Sequence, residues 1–375
     1  MASDRSTATR RDFLRRQIAP AFAAAFGGRL PDAEPHVAPQ AVLSFSRTAM
    51  ACRFEVVLPA GDERHAAAAQ AALALASELE RQMTVFRPDS EISELNRSPA
   101  GAPVRVEPRL FGLLQLAARL AEETAGVFDI TTGALDRLWR RCRTEARLPA
   151  PAEVEAARQG AGMQHMRLDE AHCTVEFARD GVELNLGAIG KGYALDRIAE
   201  ELREQGVASA LIHAGHSSIC AIGYPPWAPA WAVSVSDPRG PSASSEPALS
   251  SAKGSPRGTG GPRPATTMRL RDRTMSTSGS AERFFEVDGK RYGHIIDPRT
   301  GWPAQSVSSV TAIAPTAAEA DALSTAFYIM GGAAARAHCE RHPEVAALVV
   351  CEGDAGGAPQ QVNIGIPEDM VEVTA

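Results

Sequence analysis

The stretch Asn-Leu-Gly-Ala-Ile-Gly-Lys-Gly-Tyr at residues 185–193 carries the strongest local signal in the chain. The apolar segment 182–186 predicts a strand, and a helical pattern of apolar residues follows over 193–205. Glycines allow a tight bend between the two. The first turn of a helix presents backbone N–H groups that bind phosphate or pyrophosphate. The pattern therefore indicates either a phosphate-binding bend or a plain glycine turn, and the residues alone leave both open.

Two common nucleotide motifs do not account for this bend. A Walker A loop reads G-x-x-x-x-G-K-[ST], whereas Asn185 and Gly192 stand at its first-glycine and hydroxyl positions. The chain also lacks a G-x-G-x-x-G fingerprint between a predicted strand and a predicted helix. Neither a P-loop nor a Rossmann cofactor site is predicted.

A second signal is Glu-Ala-Asp-Ala-Leu-Ser-Thr-Ala-Phe at residues 319–327. Thr316 and Glu319 have the spacing of a capping box, which predicts a helix that ends at the glycine pair 331–332. Asp321 and Thr325 are four residues apart, so their oxygens share one helix face. A hard cation such as Mg2+ accepts such a pair together with phosphate oxygens. The alternative is an ordinary buried aspartate bonded to the backbone.

Two further stretches carry weaker signals. In Ala-Gly-Val-Phe-Asp-Ile-Thr-Thr-Gly at 125–133, Phe128 would stack on an aromatic cofactor beside Asp129, or would simply be a buried phenylalanine at a strand end. His294 stands directly before an Asp-Pro-Arg-Thr-Gly turn at 297–301, where it would relay a proton or would simply pack. The stretch 277–280 would bind an anion or merely turn.

Composition excludes several classes of protein. The chain has 375 residues, of which 44% are hydrophobic and 22% charged, and its formal net charge is −6. These values are typical of a globular protein and argue against a nucleic-acid binder, which is usually strongly basic. No apolar run reaches the ~20 residues of a membrane-spanning helix, so we expect no integral membrane segment in the mature chain. The absence of G-x-S-x-G, H-E-x-x-H and C-x-x-C motifs argues against the corresponding hydrolase and metal sites.

The N-terminus resembles an export signal. Arg10-Arg11 with Phe13-Leu14 matches a twin-arginine pattern, and a mildly apolar stretch follows over 18–28. The alternative is a basic tail with an alanine-rich stub. We expect a signal and linker at 1–40, a catalytic domain at 41–352 and a C-terminal segment at 353–375. The signal predicts a periplasmic protein.

The domain is predicted to be α+β, with mixed or largely antiparallel sheets packed against helices, because strands and helices alternate irregularly. Met50-Ala51-Cys52 is assigned to the first strand, over 44–58. Residues 238–267 are predicted to be a disordered insertion, since 17 of these 30 residues are Gly, Pro or Ser.

Taken in order, these pieces resemble the ApbE family, the FAD:protein FMN transferases. The matching segments are Met50–Cys52, residues 86–96, 126–131, 186–196, 276–279, 294–301 and 320–325. The resemblance implies a Mg2+-dependent enzyme that attaches the FMN half of FAD to a Thr or Ser hydroxyl of an acceptor flavoprotein subunit, releasing AMP.

The resemblance also implies roles for individual residues. Contacts to FAD are expected from Met50, Phe86, Val127, Phe128, Asp129, Asn185, Lys191 and Ile296. Metal ligands are expected from Asp321, Thr325 and the backbone carbonyl of Ala188, and His294 is expected to be the catalytic base or to position the acceptor hydroxyl. Asn185 departs from the aspartate usual in the family. This keeps two alternatives open: a metal-dependent FAD pyrophosphatase that yields FMN and AMP, and a non-catalytic periplasmic FAD-binding protein.

Overall fold

A computed structural model describes residues 41–236, 246–247, 264–279, 284–305, 307–351 and 360–372. All of these fall within one compact unit, Ala41–Ala375. The predicted export signal at 1–40 lies outside the described residues. Among the helices that the structure describes, none has the length and apolar character needed to cross a membrane.

The helices are labelled in chain order. They are α1 Ala66–Met83, α2 Glu91–Asn96, α3 Pro108–Glu123, α4 Gly133–Thr144, α5 Pro151–Arg158, α6 Gly190–Glu204, α7 Ala317–Met330 and α8 Gly332–Arg341. Short 3-10 turns cover Glu63–His65, Met163–His165 and Glu368–Met370.

The strands are labelled in the same way. They are β1 Val42–Ala49, β2 Cys52–Pro59, β3 Val104–Arg105, β4 Met166–Asp169, β5 Thr174–Phe177, β6 Ala210–Ala214, β7 Ser218–Ile222, β8 Trp231–Ser236, β9 Glu246–Pro247, β10 Pro264–Leu270, β11 Thr274–Gly279, β12 Phe284–Val287, β13 Lys290–Gly293, β14 Ile296–Asp297, β15 Trp302–Pro303, β16 Ser309–Ala314, β17 Ala346–Cys351, β18 Gln360–Ile364 and β19 Val371–Glu372.

An eight-stranded sheet forms the centre of the fold, in the order β1-β2-β6-β7-β11-β16-β17-β18. Its neighbouring strands pair antiparallel throughout. A smaller sheet has the order β19-β10-β8-β9. The predicted α+β class with antiparallel sheets is therefore confirmed. Strands β18 and β19 come from the segment that the sequence assigned to the C-terminus, and each extends one of these sheets.

Alternating residues of the central strands build a core on each side of the sheet. Phe54, Val56 and Leu58 of β2 pack with residues of α1 and α6 on one face. Val57 of the same strand points the other way, into a cluster with Trp231 of β8. This period-2 pattern is what a strand buried on both faces requires. Helices cover one face of the sheet and the smaller sheet covers the other.

Met50 and Ala51 form the turn of the β1–β2 hairpin, so their assignment to a continuous first strand was wrong. Both residues have positive φ, 50° and 57°, as a two-residue hairpin turn of the primed type requires. The backbone N–H of Met50 donates to Oε1 of Glu80 at 2.8 Å. This contact with α1 helps to hold a conformation that non-glycine residues seldom adopt.

Helices α6 and α7 cross at very close range. A Cβ at Gly192 would lie 2.0 Å from the carbonyl oxygen of Ala317, so only glycine fits there. The carboxylate of Asp196 accepts from the backbone N–H groups of Ala317 and Ala318 at 2.8 and 2.9 Å. The two helices are thereby locked together at the N-terminal end of α7.

Strand β10 begins inside the predicted insertion. Residues 264–270 pair with β8, and 246–247 also pair with that strand, so the boundary at 267 was set too late. The sequence there is Pro-Ala-Thr-Thr-Met. Its β-branched pair Thr266-Thr267 favours a strand, but the Gly, Pro and Ser residues before it dominated the prediction. The rest of 238–267 lies outside the described residues.

Candidate active site

One cavity of about 610 Å3 is lined by all twelve residues that the sequence singled out. They are Met50, Phe86, Val127, Phe128, Asp129, Asn185, Ala188, Lys191, His294, Ile296, Asp321 and Thr325. Ligand pockets for small molecules and cofactors have volumes of roughly 300–1,000 Å3. The structure thus brings together residues spread over 276 positions of the chain (50 to 325), while the role of each remains a prediction.

Asp321 is the centre of the polar wall. Its side chain is only 5% exposed and forms an ion pair with Lys191, whose Nζ lies 3.1 Å from Oδ1. The backbone N–H of Gly192 donates to Oδ2 at 3.1 Å. Ser218 and Ser276 donate to Oδ1 at 3.2 and 3.1 Å. A buried carboxylate needs such partners, because leaving it unpaired costs several kcal/mol.

Strand alternation explains why these serines reach Asp321. Ile219 of β7 and Met275 of β11 point into the core on the far face of the sheet, so Ser218 and Ser276 point toward the helices. Ser218 and Ser276 are register partners on adjacent strands, and their hydroxyls lie 3.0 Å apart.

Hydroxyl groups continue along the same face of α7. Ser278 contacts both Ser324 at 2.8 Å and Thr325 at 3.3 Å. The hydroxyls of Ser324 and Thr325 also donate to the Asp321 carbonyl, at 2.9 and 3.3 Å. The spacing i, i+3 and i+4 from Asp321 gathers these oxygens beside the carboxylate.

The oxygen set fits a hard divalent cation. Carboxylate, hydroxyl and backbone carbonyl oxygens are the ligands that Mg2+ prefers, and Asp321, Thr325 and Ala188 all line the cavity. In this structure the ammonium group of Lys191 forms an ion pair with the Asp321 carboxylate. Residence of a cation at Asp321 therefore requires Lys191 to move its Nζ away from the carboxylate, toward the cavity that both side chains line.

The glycine bend uses most of its own N–H groups. Gly187 N donates to Oδ1 of Asn185 at 2.8 Å, and the N–H groups of Ile189 and Gly190 donate to the Leu186 carbonyl at 3.1 and 2.7 Å. Gly192 N donates to Asp321. These contacts favour the plain turn over a backbone phosphate cradle, because the anion at this helix N-terminus is a side chain of α7.

Asn185 brings a neighbouring carboxyl group into the site. Its Nδ2 donates to Oδ2 of Asp136 at 2.9 Å. Burial raises the pKa of Asp136, against the opposing effects of Arg140, Arg143 and Asn185. An aspartate at 185 would face that carboxylate directly. Asn185, which departs from the family pattern, is thus hydrogen-bonded to an acidic residue of α4, Asp136.

Phe86 lies at the mouth of the cavity. It is 74% exposed, and the Arg140 guanidinium carbon lies 4.7 Å from its ring centroid. A phenyl ring this exposed loses apolar burial unless something covers it. The pair offers a planar apolar and cationic surface to a ligand.

Phe128 and Val127 contribute little surface to the cavity. They are 2% and 4% exposed and belong to the main core, which matches the alternative of a buried phenylalanine. Asp129 accepts from the N–H and hydroxyl of Thr131 at 2.7 and 2.6 Å. Burial raises the pKa of Asp129, and the hydrogen bonds from Thr131 oppose this shift.

His294 is an exposed residue between β13 and β14. The adjoining wall is aromatic: Trp139 stacks on Tyr292 with ring centroids 6.1 Å apart, and Phe285 lies 5.7 Å from Tyr292. Nε1 of Trp139 donates to the Gly301 carbonyl at 2.8 Å, which ties this wall to the turn after His294. Ile296 is half-buried and packs on a small core with Trp302.

Sequence reasoning missed several cavity residues. Glu80, Asp136, Trp139 and Arg140 line the cavity, and Ser218 and Ser276 stand behind its wall as hydrogen-bond donors to Asp321. Ser276 is two residues before Ser278, which belongs to the stretch 277–280 proposed to bind an anion, and this period-2 spacing was an available signal. The others depend on strand register and helix packing, which no local pattern specifies.

Solved structures with the same fold include ApbE proteins from several bacteria. The ApbE protein of Thermotoga maritima matches with a TM-score of 0.72 and 30% identity, over 86% of this chain and 97% of its own. The flavinyl transferase ApbE of Pseudomonas stutzeri, in its apo form, matches with a TM-score of 0.68 and 25% identity, over 88% and 98%. Fold and cavity thus define a protein of the flavin-transferase class.

Sequence comparison specifies the family. The ApbE family model matches residues 50–349. A Treponema pallidum protein named FAD:protein FMN transferase is 34% identical over 80% of this chain and 81% of its own length. The chain belongs to the ApbE family.

Proposed function

We propose that the protein transfers FMN from FAD to a Thr or Ser hydroxyl of an acceptor flavoprotein, releasing AMP, in a Mg2+-dependent reaction. Family membership supports flavin transfer. The finer steps rest on one observation: Asp321, Thr325 and Lys191 meet at the wall of a single cavity.

The cavity matches the two chemical halves of a flavin dinucleotide. One wall has the oxygen atoms of Asp321 and Thr325, which suit a cation, and the ammonium group of Lys191, which suits a diphosphate. The other has Trp139, Phe285, Tyr292 and the exposed Phe86, which suits a planar ring system. The dinucleotide would bridge these two walls.

The metal ligands are proposed to be Asp321, Thr325 and the Ala188 carbonyl. When bound, Mg2+ offsets negative charge that develops on diphosphate oxygens. Lys191, displaced from Asp321, would bind a diphosphate oxygen as a compact positive charge. Ser218 and Ser276 would keep the carboxylate oriented when Lys191 leaves.

His294 is proposed to accept the proton of the acceptor hydroxyl. The hydroxyl oxygen attacks the FMN-side phosphorus, a phosphoester bond forms, and the bond from phosphorus to AMP breaks. General-base assistance typically contributes ~10²–10⁴-fold. Exposure of His294 at the cavity rim suits a group that must meet a side chain of another protein.

The acceptor is proposed to be a periplasmic flavoprotein subunit, reached after twin-arginine export. Such export carries folded proteins, which suits a chain that folds around its substrate pocket first.

Product analysis tests the proposed reaction against hydrolysis. Incubation with FAD, Mg2+ and a Thr-bearing acceptor protein is expected to give covalent flavin on the acceptor and AMP in equal amounts. A Thr→Ala acceptor is the matched control and is expected to remain unlabelled. Release of free FMN and AMP, whichever acceptor is present, identifies a pyrophosphatase, and tight FAD binding without turnover identifies a binding protein.

A further inference from the structure

A second cluster of metal-ligating side chains lies outside the cavity. Glu123, His338 and His342 each offer one ligand atom, and these atoms all lie within 4.8 Å of one another. None of the three lines the candidate active site. They come from the last residue of α3 and from the C-terminal end of α8, so the two helix ends meet here.

His338 is buried without a ligand of its own. It is 1% exposed, and within the described part of the chain neither ring nitrogen has a hydrogen-bond partner of ordinary geometry. An imidazole buried in this way forfeits about 1–3 kcal/mol per unmet polar group. Its ring stacks on His342 with centroids 4.5 Å apart and meets Phe327 edge-on at 5.2 Å. The ring is held by packing; the backbone of Glu123 comes close enough to one nitrogen to act on its pKa, and the other nitrogen is left for another partner.

Two helix C-termini and two carboxylates supply negative charge at this cluster, against the positive charges of Arg119 and Arg341. Helix C-termini carry partial negative charge, and both α3 and α8 end at this cluster. Arg119 contacts Oε1 of Glu123 at 3.0 Å, which leaves the second carboxylate oxygen for a ligand. Oε1 of Glu344 lies 3.5 Å from Nδ1 of His342. A carboxylate on one ring nitrogen orients the other toward a metal in many sites.

We propose that Glu123, His338 and His342 form a structural site for a divalent transition metal such as Zn2+, distinct from the flavin site. Two histidines and one carboxylate are a common zinc ligand set, with bonds of about 2.0–2.2 Å. Tetrahedral ligands at that length lie about 3.3 Å apart, so rotations of the half-exposed Glu123 and His342 side chains close the set. Water completes the coordination.

His338 also feels the charges around it. Burial lowers the pKa of His338, the charges of His342 and Arg341 lower it further, and Glu123 opposes them.

The site is tested by zinc stoichiometry on the full chain prepared without a polyhistidine tag. After chelator treatment, protein is dialysed against Zn2+ with Mg2+ in excess to occupy the cavity site. The wild type is expected to hold one more zinc per chain than either His342→Gln or Glu123→Gln. His172→Gln is the matched control, because His172 is 75% exposed and pairs with Asp169; it is expected to bind as the wild type does.

Thermal unfolding gives a second readout that does not depend on flavin transfer. Zn2+ is expected to raise the Tm of the wild type and of His172→Gln, because a ligand that binds only the folded state stabilises it. It is expected to leave the Tm of His342→Gln and Glu123→Gln unchanged. Equal zinc content in all four proteins, or no zinc in the wild type, would overturn the proposal. The half-exposed positions are chosen because replacing the buried His338 risks unfolding the chain.

Discussion

At the scale of single residues, the candidate site is a set of charges that balance one another. Asp321 is balanced by Lys191, and Asp136 is bonded to Asn185. Asp321, Lys191 and Asn185 were all visible in motifs. Asp136 was not, because its position in α4 carries no pattern beyond an ordinary helix. Its part in the site depends on packing against a residue 49 positions away.

Asn185→Asp tests the second pair. The new carboxylate would face Asp136, so we expect a loss of about 1–3 kcal/mol in the free energy of unfolding at pH 7. Like charges raise the folded-state pKa of one carboxyl, and the loss therefore grows as pH rises from about 4 to 7. Denaturant unfolding at several pH values measures it.

The matched control is Asn96→Asp. Asn96 also donates its side-chain N–H, at 2.9 Å, but to the Leu184 carbonyl. A smaller dependence on pH is expected there, since the acceptor is uncharged. Equal pH dependence in the two variants would show that Asp136 does not influence position 185.

At the scale of elements, the crossing of α6 and α7 holds the site together. Local patterns predicted α7 well: its capping box forms, with Thr316 Oγ1 accepting from Glu319 N at 3.2 Å, and Gly331 ends the helix with φ 81°. The start of α6 was less predictable, because its residues left a phosphate-binding bend and a plain turn both open. The backbone N–H of Gly192 donates to the carboxylate of Asp321, which is 129 residues away, and only tertiary structure brings the two together.

Gly192→Ala probes this crossing. The added Cβ meets the Ala317 carbonyl oxygen at 2.0 Å, and backbone atoms cannot move aside cheaply. We expect destabilisation of about 1–3 kcal/mol, together with weaker flavin transfer, because the start of α6 with Lys191 is pushed away from the α7 residues of the site. Chemical denaturation and the labelling assay measure the two effects.

Gly112→Ala is the matched control for that substitution. Gly112 is exposed within α3, and a Cβ added there would meet no heavy atom within 4 Å among the described residues outside its own helical turn. Alanine is expected to stabilise the protein by about 0.5–1 kcal/mol at this position. If both variants stabilise the protein, the close approach of α6 and α7 is not as tight as the structure indicates.

Asp196 makes the same crossing sensitive to pH. Burial raises the pKa of Asp196 to about 6, and the two backbone N–H donors of α7 only partly oppose this. Its folded-state pKa thus exceeds the ordinary 3.8, so its ionisation opposes folding. Relative to Asp196→Asn, the wild type is expected to lose up to about 3 kcal/mol of stability as pH rises from 4 to 7.

Urea unfolding of both proteins across that pH range checks the sign. Asp180→Asn serves as the control, because Asp180 also accepts a backbone N–H, from Ala100 at 3.0 Å, but is exposed. Its difference from the wild type is expected to vary less with pH. A wild type that gains stability relative to Asp196→Asn over this range would contradict the assignment.

At the scale of the whole molecule, motif order proved more informative than any single motif. Seven short segments in sequence indicated the family, and family membership is confirmed. Strand order could not be predicted, because β1-β2-β6-β7-β11 joins strands separated by helices of very different length. The hairpin turn at Met50-Ala51 was missed for a related reason: its positive φ values depend on a contact with Glu80 of α1.

The proposed export signal at 1–40 is tested separately from the catalytic domain. A reporter joined to residues 1–40 is expected to reach the periplasm, and replacing Arg10-Arg11 with two lysines is expected to keep it in the cytoplasm. Cell fractionation measures the distribution. A reporter that stays cytoplasmic with the natural sequence refutes the proposed signal.

Covalent flavin labelling of an acceptor by Asp321→Asn, compared with the wild type, addresses the metal-assisted transfer most directly. In-gel flavin fluorescence after incubation with FAD and Mg2+ is the measurement, and Asp180→Asn is the control. The wild type and the control are expected to label equally and to lose labelling when Mg2+ is chelated. Asp321→Asn is expected to be slower by about a hundredfold or more, since metal stabilisation of the transition state is worth several kcal/mol. Undiminished labelling by Asp321→Asn would contradict the proposed metal site.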